Sequence, residues 1–169
     1  MRIAGVDPGF SGGFVLLVDG CVWMKAVMPV TQLKKADGGN KSEYLEADIA
    51  SLFREMKPDM VFIEKQHPMK GQGLSSTFST GLGFGLLRGM ASGLSLPFTL
   101  VPARTWQKCF FDGQPKKDTG KLAALVCSRL WPACDFRVTE RSRVPHSGLC
   151  DAALIARYGW LMMKGEIRD

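Results

Sequence analysis

Residues 2–28 hold three short apolar runs, RIAGVD (2–7), FVLLVDG (14–20) and CVWMKAVM (21–28). Only the turn PGFSGG (8–13) and the Asp19-Gly20 pair separate them. Apolar runs of this length between turn signals are strands, and Asp-Gly between two of them is the strongest short hairpin signal. The chain therefore opens as a three-strand antiparallel meander, with Asp7 at the tip of its first strand and glycines in the turn that follows, where the backbone must bend or admit a close neighbour.

The rest of the chain alternates helix and strand. Residues 29–42 read as a polar, mobile loop. SEYLEADIASLFREMKPD (42–59) places Leu45, Ile49, Leu52, Phe53 and Met56 on one helical face, with Ser42 as N-cap and Pro58 as the stop. MVFIEK (60–65) is a central strand with Glu64 at its tip, and HPMKGQG (67–73) is a loop. From Leu74 to Leu94 the pattern is helical, with Gly81, Gly85, Gly89 and Gly93 at four-residue intervals. Each glycine inside a helix costs about 1 kcal/mol relative to alanine, so the stripe predicts another helix or strand backbone packed closely against it, within the chain or across a dimer. A membrane dimer motif has similar spacing, but Ser79, Arg88 and Ser92 argue against that. PFTLVP (97–102) is a strand, ARTWQKCFF (103–111) a short helix, GQPKKDTG (113–120) a basic loop and KLAALVCSRLW (121–131) an amphipathic helix stopped by Pro132. A loop over 132–146 leads to a last helix from about Ser147 to Met163. This order is that of one α/β domain spanning 1–169, a mixed five-stranded sheet flanked by helices. Chemistry is expected at the carboxyl tips of its parallel strands.

Composition limits the function classes. No run of 18 apolar residues occurs, so no transmembrane helix is expected, and no leader is read before the first strand, either because there is none or because the sequence begins after it. Five scattered cysteines, none in a CxxC pair, argue against a disulfide framework or a zinc knot and read as small core residues. The net charge of +6 is concentrated. Between Pro102 and His146, nine Lys/Arg face four acids. Such a segment is either a solvated surface or the footprint of a polyanion, with nucleic acid the default partner.

Three carboxylates stand out: Asp7, Glu64 and Asp151, the last in the first turn of the final helix. Taken singly, Asp-Pro-Gly is a strand-to-turn junction, and an acid at a helix start complements the dipole. Brought together, three buried carboxylates would repel one another unless cations lie between them. Oxygen-rich clusters with open positions select Mg²⁺ or Mn²⁺, and an ion pair is the standard device for phosphodiester cleavage.

The segments GVDPGFSGG, VFIEKQ and HSGLCDAALIA, in this order and spacing, resemble the RuvC-like Holliday-junction resolvases of the RNase H-like superfamily. The resemblance extends to KGQGLSSTFSTGLGFGLLRGM, VPARTWQK and PKKDTGKLAALVCSRLWP, and so to nearly the whole chain. Within that family, PHSGLCDAALIARYG is most similar to the chloroplast branch, the monokaryotic chloroplast 1 resolvases. The resemblance implies an RNase H-like fold and a homodimer that cuts two opposed strands of a four-way junction, using Mg²⁺ or Mn²⁺, two ions per site. It also implies a chloroplast nucleoid setting, with bacterial or phage cytoplasm as the alternative. Asp7, Glu64 and Asp151 are then the metal-binding catalytic carboxylates. Many bacterial and phage members carry another acid three or four residues before the last aspartate, where this chain has Ser147 and Gly148. The chloroplast branch instead has a histidine five residues before it, which His146 matches. On a continuous helix, positions 146 and 151 stand about 140° apart. Pro145, together with Ser147 as N-cap, puts His146 outside the helix, able to fold back. It could ligate the second metal, orient the attacking water or take its proton.

The loop after Glu64 (Lys70, Gly71, Gln72, Gly73 and Ser75) is placed to enter the junction centre and read bases. Lys65, Lys70, Lys108, Lys116, Lys117, Lys121, Arg141 and Arg143 are candidate phosphate contacts, and Trp106 reads as core. The competing readings are an RNase H or transposase-type nuclease, a sugar-kinase-like ATPase, for which the chain is too short, and a non-catalytic junction-binding protein.

Overall fold

The computed structural model describes residues 1–34, 36, 38–68, 71–113 and 118–167. The opening runs form β1 (Arg2–Asp7), β2 (Gly13–Val18) and β3 (Cys21–Val27), paired antiparallel in sequence. After an inserted pair of strands, β4 (Val30–Lys34) and β5 (Asn40–Tyr44), and helix α1 (Glu46–Met56), strand β6 (Met60–Lys65) joins β1 in parallel. Helix α2 (Leu74–Gly93) crosses to β7 (Phe98–Pro102), parallel to β6. The sheet order is β3-β2-β1-β6-β7, the mixed five-stranded sheet expected from the sequence. Three helices complete the chain: α3 (Ala103–Phe111), α4 (Thr119–Leu130) and α5 (Ser147–Met163). No described helix is long and apolar enough to cross a membrane.

Strand alternation divides the core. One apolar cluster joins Ile3, Val15, Leu17 and Phe62 to α3, α4 and α5, and the other joins Ala4, Val6, Phe14, Leu16, Val61 and Ile63 to α1 and α2. Because successive side chains point to opposite faces, Ile3, Gly5 and Asp7 share the α5 face of β1, and Phe62 and Glu64 share it on β6. The register pairs Val6 with Ile63. Asp7 and Glu64 are therefore the next residues along neighbouring parallel strands, on the same face. Helix α5 lies directly on β1: a Cβ at Gly5 would overlap the Ala152 carbonyl oxygen and the Ala156 nitrogen.

Several local expectations are corrected. The polar loop over 29–42 is instead the β4–β5 hairpin, a separate two-stranded sheet. Its charged and amide side chains hid the strand alternation, and they pair across or along it, Gln32 Nε2 donating to Ser42 Oγ at 2.8 Å and Lys41 meeting Glu43 at 2.7 Å. Ser42 is a strand residue and not a cap. Helix α1 starts at Glu46 with no side-chain cap, and Glu46 and Asp48 face its dipole instead. Helix α4 starts two residues earlier than its apolar pattern, because Asp118 caps it through the Lys121 N–H. The glycine stripe is not packed within the chain: Gly81, Gly85, Gly89 and Gly93 have open space where a Cβ would stand. The α2 glycine under close contact is Gly83, which lies beneath the Tyr44 ring. All five cysteines are free, but only Cys127 and Cys150 are buried, while Cys21 and Cys109 are exposed.

Candidate active site

The strand tips and the start of α5 bring three acids into one electrostatic group. Burial pushes the Asp7 carboxyl well above its usual range, and Glu64 and Asp151 push it further. Asp151 is pushed up to about 7, by burial first and by Glu64 second. Glu64 is raised by burial, against the pull of hydrogen bonds from Trp106 and Gln66. Among the described residues, no three His, Cys, Asp or Glu side chains converge closely enough to hold an ion together. The acids thus feel one another's charge without closing on a common point.

The residues present nevertheless fit a divalent ion. Asp151 Oδ1 is buried and has no hydrogen-bond partner. Leaving such an atom unsatisfied costs roughly 1–3 kcal/mol or more. A cation satisfies it and removes the mutual repulsion of the acids in one step. Carboxylate oxygens are donors suited to Mg²⁺ or Mn²⁺.

Two residues at the site had no clear signal in the sequence. Trp106, fully buried on α3, donates its indole N–H to Glu64 Oε2 at 2.8 Å, while Gln66 Nε2 donates to Oε1 at 3.0 Å. Tyr44, at the end of β5, lies close enough to Asp7 for that charge to raise its phenol pKa, after burial. It also stacks on Phe10 with ring centroids 4.6 Å apart. The helix reading of 42–59 concealed Tyr44, which ends a strand, and a lone tryptophan in a helix reads as core.

The start of α5 differs from the sequence reading in one respect that matters chemically. Ser147 is not the N-cap. His146 is, in extended backbone, with its Nδ1 accepting from the Leu149 N–H at 3.3 Å. Its backbone N–H donates to the Phe136 carbonyl and its own carbonyl accepts from Cys150 N–H, so the residue is held from both sides. An accepting Nδ1 carries no proton, so the proton of the neutral ring lies on Nε2. Burial lowers the His146 pKa.

Position 148 cannot hold a side chain of any size. A Cβ at Gly148 would overlap the Ser11 carbonyl oxygen and meet the Gly12 backbone. The start of α5 lies on the turn after Asp7, and only glycine fits there.

Separating cap from chemistry requires two His146 variants. Asparagine is as good an N-cap as any residue, and alanine is a poor one. His146→Asn is expected to melt within about 2 °C of wild type and His146→Ala about 2–4 °C lower, corresponding to a cap worth about 1 kcal/mol. Both are expected to lose any divalent-dependent catalysis at the acidic group. Wild-type catalysis by His146→Asn would leave the histidine a cap and nothing more.

Of the nucleic-acid candidates, Lys65 is exposed at the tip of β6, and Lys108, Arg141 and Arg143 are exposed. Lys121 is engaged with its own cap residue, Nζ lying 2.9 Å from Asp118 Oδ2. Gly71 is open with φ +85°, Gly73 caps α2, and Gln72 reaches back to Ser76 and Thr80 of α2. Ser75 lines a cleft of about 500 Å³ between the β4–β5 hairpin and α2, with Phe10, Tyr44 and Phe78 as its aromatic walls. Lys70, Lys116 and Lys117 lie outside the described residues.

No protein-family model matches the chain, and no curated protein matches it. Solved structures do. RuvC of T. thermophilus in complex with a Holliday junction substrate aligns with TM-score 0.60 and 14% identity, over 100% of this chain and 98% of that one. A second Thermus thermophilus RuvC structure gives TM-score 0.55 at 17% identity over 98% and 97%. The yeast mitochondrial Holliday junction resolvase Ydc2 gives TM-score 0.53 at 16% identity, over 98% of this chain and 79% of that one. At these identities the likeness is one of architecture, and the chain has the RuvC-like, RNase H-like fold.

Proposed function

We propose that this chain is a divalent-metal-dependent endonuclease that resolves four-way DNA junctions, cutting two opposed strands symmetrically as a homodimer. The observation that carries this reading is the acidic group itself: Asp7, Glu64 and Asp151 at the carboxyl end of a RuvC-like sheet, with a buried Asp151 oxygen lacking any partner. One of the similar structures is a RuvC bound to a Holliday junction substrate.

Asp7, Glu64 and Asp151 would hold Mg²⁺ or Mn²⁺, two ions per site, which acidify an attacking water and stabilise the leaving 3′-oxygen when bound. His146, neutral near pH 7, could orient that water through its Nε2–H, and once its cap bond is released its Nδ1 could take the water's proton or join the second ion. Lys65, Lys108, Lys121, Arg141 and Arg143, with Lys70, Lys116 and Lys117, supply phosphate contacts. Ser75 lines the cleft where unpaired bases at the crossover would lie, and Gly71, Gln72 and Gly73 lead into the helix that carries it. For the dimer, α2 offers one continuous face. Leu74, Phe78 and Leu82 are exposed, and with Gly81, Gly85 and Gly89 they fall within an arc of about 100°. A second copy of α2 can approach closely along the unfilled glycines. The form of residues 145–159 supports a chloroplast nucleoid setting, which immunolocalisation of the native protein against a nucleoid stain checks.

The test is incubation of a synthetic four-way junction, a linear duplex and an RNA–DNA hybrid with Mg²⁺ or Mn²⁺, with Asp7→Asn as the inactive control. Paired nicks in the junction alone, leaving 5′-phosphates and 3′-hydroxyls, are expected, and sedimentation of the same samples reads the dimer. Cleavage of the hybrid instead favours an RNase H-type enzyme. Binding that weakens steeply with salt but never leads to cutting reduces the protein to a junction-binding one.

A further inference from the structure

We propose that Trp106 is a positioning residue for this site: its indole N–H sets the rotamer of Glu64 and holds the carboxylate beside Asp7 and Asp151. The inference rests on the nuclease reading for its catalytic consequence, but its geometry stands independently.

The arrangement follows from the chain path. Strand β7 pairs with β6 so that Glu64 lies opposite Val101 and Lys65 opposite Pro102. Helix α3 begins at the next residue, Ala103. Helical side chains lean toward the N-terminus of their helix, so a large side chain in the first turn leans back over the tip of β6. Trp106 is that side chain. Its ring is 0% exposed and packs edge-on to Phe111 at 5.6 Å, within the cluster beneath α5. The ring cannot turn without disturbing that core, and the direction of its N–H is therefore fixed.

The choice of donor matters. An indole N–H donates only and stays neutral at every accessible pH. It orients a carboxylate without cancelling its charge, which an Arg or Lys in the same place would do in competition with a cation. Each carboxylate oxygen has two lone pairs, and Trp106 and Gln66 take one on each. The others remain free. Gln66 lies at the open end of β6 and is the more easily displaced of the two. Trp106 is the fixed one.

The test uses Trp106→Phe, which keeps an aromatic ring in the core and removes the donor. Junction cleavage is expected to fall about 10–100-fold, the usual cost of losing an outer-shell partner. Junction affinity in Ca²⁺ is expected to stay within about twofold of wild type, and the Mg²⁺ concentration for half-maximal rate to rise. Spectroscopy supplies an arm free of activity. The Trp106 indole N–H resonance, assigned by its loss in Trp106→Phe, is expected to move when Mg²⁺ is added and to move in metal-free Glu64→Gln.

Trp131→Phe is the structural control. Trp131 also donates its indole N–H, to the Gly20 carbonyl at 3.0 Å, at the far end of the sheet. This variant is expected to melt lower than wild type without loss of kcat. Wild-type rate and Mg²⁺ dependence in Trp106→Phe would overturn the proposal, as would an indole resonance indifferent to Mg²⁺. An equal fall in kcat in Trp131→Phe would do so too, by assigning both effects to stability. If the wild type cuts no junction, the nuclease reading fails, and the resonance still decides whether Trp106 positions Glu64.

Discussion

Asp151→Asn is expected to abolish junction cleavage and, at the same time, to raise the melting temperature of the metal-free protein at pH 7.5. Loss of cleavage follows from removing a charge that holds the ions, whose stabilisation of the reaction is several kcal/mol, or on the order of 10³-fold in rate. The gain in stability follows from the buried, partnerless Asp151 Oδ1 and a carboxyl pKa pushed up to about 7. A carboxyl whose pKa is higher in the folded than in the unfolded chain binds its proton more tightly when folded. Its contribution to stability is complete below the unfolded value of about 4 and is lost as pH rises through about 7. The raised pKa of Asp7 acts in the same direction.

The metal-free wild type should therefore melt lower at pH 7.5 than at pH 5, with Asp151→Asn showing a flatter profile. Allowing for partial solvent access, the difference at pH 7.5 is about 2 kcal/mol, or about 4–8 °C for a domain of this size. Mg²⁺ should recover most of it in wild type and much less in the variant. Calorimetric scans at the two pH values, with and without Mg²⁺, check this. A flat wild-type profile would mean that the acids are solvated and independent of one another, and the ion-holding reading would lose its main support.

Gly5→Ala is expected to cost more than about 4 kcal/mol and to remove the site together with the fold. The added methyl would meet backbone, the Ala152 carbonyl oxygen and the Ala156 nitrogen, and not the movable end of a side chain. Ordinary overpacking costs about 1–3 kcal/mol because side chains can turn away. Here the whole of α5 must lift from β1. That helix carries Asp151 one residue before the contact, so the lift also draws Asp151 from Asp7. Gly85→Ala, on the open stripe of α2, meets nothing within the chain and should gain up to about 1 kcal/mol of helix stability in the monomer. Urea titrations of the two variants give the contrast directly. Near-native stability in Gly5→Ala would show that α5 does not rest on β1 as described.

Much of this was legible locally. The three opening strands, β6, β7 and the helices over 103–111 and 147–163 follow from apolar period and turn residues, because period and turn chemistry are properties of a few consecutive residues. The same holds for the acids at two strand tips and a helix start. Where local signals were ambiguous the reading failed. Ser42, Glu43 and Tyr44 match a helix start by composition, yet they pair with Val30, Thr31 and Gln32 across a hairpin. Pairing partners lie outside any local window.

The sequence by itself determined the order of the strands and helices that build the five-stranded sheet, the sheet class, and three acids at two strand tips and a helix start. Tertiary structure alone decided how those acids are served: the register that sets Asp7 beside Glu64, the seat of α5 on Gly5, and the contact that leaves room only for glycine at 148. It also made His146 the cap in place of Ser147 and turned a core tryptophan into the partner of Glu64. Each of these is a contact between residues distant in the chain or a choice between neighbouring donors and acceptors. Packing fixes such contacts, and no periodicity in the sequence records them.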